Sequence, residues 1–304
     1  MIIWRITDGK AGHDSQSRGL IQALNSLVTC VSYDIAAPSF LKTLADIVGG
    51  RCRPAAGLPD PDIIIGAGHA THLPMLAARR ARGGQIAVLM RPTLPASWFD
   101  LCFIPKHDGP ATANNIVATS GVINPVVPSA EHVPGLGLIL IGGPSRHYGW
   151  DNGGLIEQIR TIIQNDPRKW TLTDSPRTPA TTRRSLSQFN HESTQYAPYR
   201  ECDAAWLPRR LHNAGAVWVT RDSMSMIYES LTAGAAVALL DVPEKKTGRI
   251  TRAVADLLES KQVVSFRQWR EGRELSPLKT PLYEADRCAR ILLERLSSNK
   301  NGPS

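Results

Sequence analysis

The chain has 304 residues, 42% hydrophobic and 20% charged, with a formal net charge of +8 and a pI of about 9.4. That hydrophobic share excludes a disordered chain, and the length suits two domains better than one core. A basic surplus fits anionic partners: nucleotide phosphates, nucleic acid or an anionic membrane face. Short apolar runs then alternate with helix-like stretches. Residues 2–6 read as a strand, 15–27 as a helix and 27–33 as a second strand. The run "DIIIGAG", 62–68, is a compact buried strand, followed by a helix through "THLPMLAARRA" and by strands at "QIAVLM" and "DLCFIP". At 124–137 the stretch "NPVVPSAEHVPGLG" holds three prolines and no periodicity, and reads as a domain linker. The alternation then restarts. Strands are expected at "LGLILIGG", "WTLTD", "AVWVT" and "AAVALLDV", with helices at 153–165, 179–189, 223–234 and 250–259. Gly234 is the expected C-cap of the third of these helices. A last helix, 283–297, fits either domain, and the tail "SSNKNGPS" is expected to be disordered.

Apolar strands alternating with helices predict an α/β fold of two Rossmann-like domains, residues 1–125 and 136–282. Ligands of such sheets sit beyond the carboxyl ends of the strands. The glycine- and histidine-bearing turns all fall there: "TDGKAGH", "GAGHATH", "PKHDG", "GGPSRHYGW" and "TRDSMS". The five cysteines are scattered without CxxC spacing, as expected of reduced thiols in a cytoplasmic protein. The N-terminus turns polar too soon for a signal peptide. No run approaches the ~20 apolar residues of a spanning helix, so any membrane contact is expected to be peripheral, at the inner face.

Each turn has a chemical and a plain reading. In "GGPSRHYGW", Gly142 and Gly143 let backbone amides approach a phosphate, Ser145 can donate a hydrogen bond and Arg146 can pair with a diphosphate. The plain reading is a tight strand-to-helix turn with Arg146 solvated. In "TRDSMSMIYESLTAG", Asp222 or Ser223 is the expected N-cap, and Ser223, Met224 and Ser225 lie near free N–H groups. Glu229 either accepts ribose hydroxyls or is a solvated surface carboxylate. In "TDGKAGH", Gly9 and Gly12 supply flexibility, Lys10 positive charge, and His13 a candidate general base or a packed ring at a helix start. His69 and His72 have helical metal-ligand spacing but no matching carboxylate or cysteine cluster, so no metal is expected. His107-Asp108 can orient a ligand or merely end a strand. "RTPATTRRSLSQF" is basic but lacks interleaved aromatics and reads as a solvated helix, so no nucleic-acid partner is expected.

The motifs "DGKAGHDSQSRGL", "DIIIGAGHATH", "PKHDG" and "GGPSRHYGW", in this order, resemble the mitochondrial-fission Elm-type family, which includes bacterial members. The resemblance implies the two-domain GT-B glycosyltransferase architecture, with two Rossmann-like domains facing a cleft. "DSMSMIYESLTAGAAVALLDVP" is similar to the stretch of GT-B enzymes in which a helix carries a Glu, then a Gly five residues later. By that resemblance Glu229 holds the ribose of a nucleotide sugar. His13 ends a first loop that faces the acceptor and the diphosphate, with Asp8 and Lys10 where those enzymes have more glycine. The implied activity is metal-independent sugar transfer from a nucleotide-diphosphate sugar to a cell-envelope glycolipid, with Lys10 and His13 catalytic, His69 contacting substrate, and no cofactor beyond the donor itself. Two alternatives stay open: a non-catalytic scaffold acting through protein partners at a membrane surface, and a nucleotide-sugar epimerase of the same shape.

Overall fold

The computed structural model describes residues 1–300. The chain divides into two compact units: Met1–Pro125 with the segment from Tyr283 onward, and Val126–Leu282. In the first unit the elements are β1 (Ile2–Thr7), α1 (Ala11–Leu27), β2 (Val31–Ala36), α2 (Phe40–Gly49), β3 (Ile63–Ala67), α3 (His69–Arg82), β4 (Gln85–Leu89), β5 (Leu101–Pro105) and β6 (Ile116–Thr119). They build one parallel sheet in the order β2-β1-β3-β4-β5-β6. Both faces of this sheet are covered, which is why its central strands read as unbroken apolar runs. Ile3, Ile63 and Ile65 point to one face, against Leu20 and Leu24 of α1. Trp4, Ile6, Ile64 and Val88 point to the other, against Met75 and Ala78 of α3.

The second unit contains β7 (Val133–Leu140), α4 (Asn152–Asn165), β8 (Lys169–Thr173), α5 (Ala180–Leu186), β9 (Thr194–Ala197), α6 (Trp206–Asn213), β10 (Ala214–Thr220), α7 (Met224–Ala233), β11 (Ala236–Leu240), α8 (Arg249–Glu259), β12 (Val264–Ser265) and α9 (Phe266–Arg270). Its sheet is also parallel, in the order β12-β11-β10-β7-β8-β9. Ile139, Trp218, Ala238 and Leu172 of four adjacent strands pack on Leu155, Ile159 and Ile162 of α4. The order places β7 and β10 side by side, so the turns after them are neighbours, and ligand crevices of such sheets lie at these ends.

Several boundaries differ from the sequence reading. Of the stretch 27–33 only Val31, Ser32 and Tyr33 belong to the second strand: α1 runs to Leu27, Val28 caps it, and β2 begins at Val31. As an edge strand with mostly exposed residues, β2 lacks the apolar signature that marks the central strands. The expected linker is shorter, because β7 already begins at Val133; Pro134 is tolerated there because it lies at the start of a strand. Gly234 does cap α7 in the left-handed conformation, with φ +95°. The last helix, α10 (Glu284–Lys300), belongs to the first unit, where Cys288, Ala289 and Leu292 join the α1 core. It carries residues 297–300 of the expected disordered tail in helix, and 301–304 lie outside the described residues.

Candidate functional site

In the first unit the chain leaves β1 through Asp8, Gly9 and Lys10 and enters α1. The Nδ1 of His13 lies 3.0 Å from Oδ2 and 3.1 Å from Oδ1 of Asp8. The Asp8 side chain is only 5% exposed and His13 20%. Burial alone would raise the Asp8 carboxyl, but the His13 hydrogen bond, the Lys10 amide and the Lys10 charge outweigh it and hold it below the usual carboxylate range. An ionised Asp8 accepts the Nδ1 proton, which leaves Nε2 as the basic nitrogen. The end of β3 holds the ring in place. Gly68 has φ +86°, and a Cβ there would lie 2.3 Å from Nδ1 and Cε1 of His13. Only glycine supplies both that backbone and that clearance.

In the second unit the turn after β7 is locked to the turn after β10. The Gly142 amide donates to Thr220 Oγ1 at 2.8 Å, and the Gly143 amide to Asp222 Oδ2 at 3.0 Å. Asp222 is fully buried at its side chain and also receives Arg177 Nη2 at 2.7 Å. Arg177 Nη1 returns to the Gly143 carbonyl at 2.9 Å. A Cβ on Gly142 would fall 2.3 Å from the Asp222 carboxylate, and one on Gly143 2.2 Å from the Arg177 carbonyl. Both glycines are therefore required by close packing. Ser145 folds back on its own loop, its Oγ accepting from the His147 and Tyr148 amides. Arg146 is exposed at the tip, whereas Arg221 pairs with Asp241 at 2.6 Å.

The next helix, α7, starts with Ser223 as N-cap, and the Ser223 side chain makes no capping hydrogen bond to the first turn. The positive end of its dipole is thus open to an anion. Ser223 and Met224 are buried. Within the first turn Ser225 Oγ donates at 3.1 Å to Oε1 of Glu229, one turn further along. Burial pushes the Glu229 carboxyl up to about 7, against a downward pull from that hydroxyl.

A family model for mitochondrial fission ELM1 matches residues 11–296. The chain belongs to the mitochondrial fission ELM1 family. No curated protein sequence matches it. Solved structures share the fold at low identity. The UDP-GlcNAc 2-epimerase of Methanocaldococcus jannaschii is 13% identical, with 97% of this chain and 100% of that one covered and a TM-score of 0.61. The UDP-GlcNAc 2-epimerase of Neisseria meningitidis, solved with UDP-GlcNAc, is 12% identical over 98% and 100%, with a TM-score of 0.54. A glycosyltransferase from Rickettsia africae is 11% identical over 99% of both chains, with a TM-score of 0.52. This ELM1-family chain therefore has the fold of the GT-B glycosyltransferases and epimerases.

The ELM1-family structure sorts the expected residues. Gly9 lies in the turn with φ +74°; Gly12 does not, because α1 already starts at Ala11. Lys10 is the N-cap of α1 and pairs with Asp8 at 3.5 Å. His69 is exposed at the start of α3, while His72 is buried, tilted against Phe99, with Nδ1 3.1 Å from Thr93 Oγ1. Burial, reinforced by the neighbouring His69 and His13, depresses His72 to about 4, so it stays neutral. No group of three metal-ligating side chains lies among the described residues. His107 and Asp108 share a single 3-10 turn after β5. The amides of Gly142 and Gly143, expected to face a phosphate, are occupied by Thr220 and Asp222. Asp222 is not the N-cap either, since its carboxylate turns to Gly143. Asp8, Gly68, Arg177 and Asp222 carry the local geometry without having been singled out for it.

Glu229 also makes stability depend on pH. Its folded value of about 7 exceeds the ordinary 4.5, so its contribution is complete below 4.5 and is lost as pH rises through 7. At about 1.4 kcal/mol per unit, the loss is roughly 3 kcal/mol. Glu229→Gln cannot ionise and is expected to flatten the fall in unfolding free energy between those pH values. Urea melts of both proteins at several pH values check this; parallel pH profiles would contradict it.

Proposed function

We propose that the protein is a glycosyltransferase that takes its sugar from a nucleotide-diphosphate donor. The observation that carries this reading is the N-terminus of α7, which the Ser223 side chain leaves uncapped, with Ser225 of its first turn bonded to Glu229 one turn on. The helix end suits the diphosphate, with Ser223, Met224 and Ser225 around it, and the Glu229 carboxylate suits the ribose hydroxyls. Arg146, exposed on the adjacent loop, is a second source of positive charge. The Gly142–Ser145 backbone shapes that loop rather than donating to the phosphate.

The acceptor chemistry falls to the first unit. His13 Nε2 takes the proton of an acceptor hydroxyl while Asp8 holds the ring and stabilises the imidazolium that forms. The acceptor oxygen bonds to the anomeric carbon, the bond from that carbon to the diphosphate oxygen breaks, and the nucleoside diphosphate leaves. The positive end of α7 offsets the departing charge and Lys10 supplies positive charge to the His13 turn, so the scheme invokes no metal. A cell-envelope glycolipid is the acceptor class proposed, at the cytoplasmic face of the membrane, and His69 borders the acceptor. The fold of the solved epimerases supports a second reading, inversion of the donor's own sugar. Product analysis without acceptor separates the two, because only an epimerase would then convert the sugar nucleotide.

The donor site is tested by calorimetry with UDP and the other nucleoside diphosphates. Glu229→Ala is expected to weaken binding by about 1.5–3 kcal/mol, the worth of hydrogen bonds to a charged group. Unchanged affinity would remove Glu229 from the site.

A further inference from the structure

The helix α2 is inside out. At 3.6 residues per turn, Phe40, Leu41, Leu44 and Val48 fall within an arc of about 100°. These four are 64%, 76%, 48% and 79% exposed, whereas the polar Thr43 and Asp46 on the opposite side are 1% and 4% exposed. The buried polar groups are satisfied locally. Thr43 Oγ1 donates to the Ser39 carbonyl at 3.1 Å, and Asp46 receives Arg53 Nε at 2.6 Å. An exposed stripe of large apolar side chains on a helix that hides its own carboxylate marks a contact surface.

We propose that this outward face of α2 docks onto an anionic lipid bilayer. Charge decides the occupant. Between Ile35 and Pro59 the charged residues are Lys42, Asp46, Arg51 and Arg53. Asp46 is buried and paired with Arg53, which leaves Lys42 and Arg51 as the exposed cations of the stretch. A second copy packed face to face would set these cations against each other, since a two-fold contact apposes like patches. A bilayer with acidic headgroups complements them, while the Phe40, Leu41, Leu44 and Val48 side chains reach the acyl boundary. No helix among the described residues is long and apolar enough to cross a membrane, so the attachment is on the surface. It does not depend on the nucleotide site.

The experiment is co-sedimentation with vesicles of phosphatidylcholine containing phosphatidylglycerol, and with vesicles of phosphatidylcholine alone. The wild type is expected to bind the anionic vesicles, less so at high salt, and the neutral ones at least about ten-fold more weakly. Leu41→Ser with Val48→Ser, and separately Lys42→Glu with Arg51→Glu, are each expected to lower anionic-vesicle binding by about ten-fold or more. All four side chains are exposed, so the melting temperature of both variants should match the wild type, and UDP titration of the same samples reads the donor site separately. The proposal is overturned if the wild type stays in the supernatant with both lipids, or if both variants bind as it does. It is also overturned if sedimentation velocity shows a dimer that Leu41→Ser with Val48→Ser dissociates, which would assign the face to a second copy. Saturable binding of a protein partner without vesicle binding would equally refute it.

Discussion

Asp222→Ala is expected to lower the unfolding free energy by about 3 kcal/mol, the scale for a buried carboxylate with two strong partners. The side chain is fully buried and ties the turn after β10 to the turn after β7 through the Gly143 amide and Arg177. Alanine removes the acceptor and leaves both donors behind. Arg177, partly exposed, can turn to water; the buried Gly143 amide cannot. Asp222→Asn retains an acceptor of the same shape and should recover part of the loss. In a cycle with Arg177→Ala, the interaction energy measures how much of the effect passes through the ion pair. Urea melts of the wild type, the three single variants and the double alanine variant settle it. A variant within about 0.5 kcal/mol of the wild type, the range of an ordinary surface change, would mean that water restores the lost contacts.

The contrast between Asp222 and Glu229 shows what can be read from a sequence like this one. Glu229 can be singled out from the sequence, because the role proposed for it by resemblance depends on its place on a helix that begins at a recognisable strand end. Asp222 answers to Gly143 and Arg177, which are 79 and 45 residues away. No local spacing encodes that, so the stretch around Arg177 reads as solvated helix. The same distinction runs through the fold. Central strands such as β3, with every residue buried, announce themselves as apolar runs. Edge strands such as β2 and the short β9 bury too little to be marked. The inverted α2 carries an amphipathic pattern, yet the pattern alone cannot say that the polar side faces inward. Asp8 is a further case: beside Gly9 and Lys10 it reads as turn chemistry, and only the fold brings its carboxylate to Nδ1 of His13.

His13→Ala is expected to reduce sugar transfer on the order of 10²–10⁴-fold, the usual worth of a positioned general base. Nucleoside diphosphate affinity should hardly change, because that binding is proposed for α7 in the other unit. The melting temperature should fall only modestly, since the imidazole is partly exposed and the buried Asp8 carboxylate, though it loses His13, keeps the Lys10 amide and charge. Asp8→Asn gives a sharper reading. It keeps the shape but removes the charge that holds Nδ1 protonated and stabilises the imidazolium, so turnover should fall while donor affinity stays. A ring that only packs would give another pattern, with stability, donor binding and turnover falling together. The measurement is transfer from labelled nucleotide sugars to envelope lipid extracts, with wild type and both variants at equal folded fraction. Equal transfer by wild type and His13→Ala would end the base assignment. If nucleotide sugars bind and none of the three proteins transfers or epimerises the sugar, the Asp8–His13 pair has no reaction to serve. The protein would then be a nucleotide-binding scaffold.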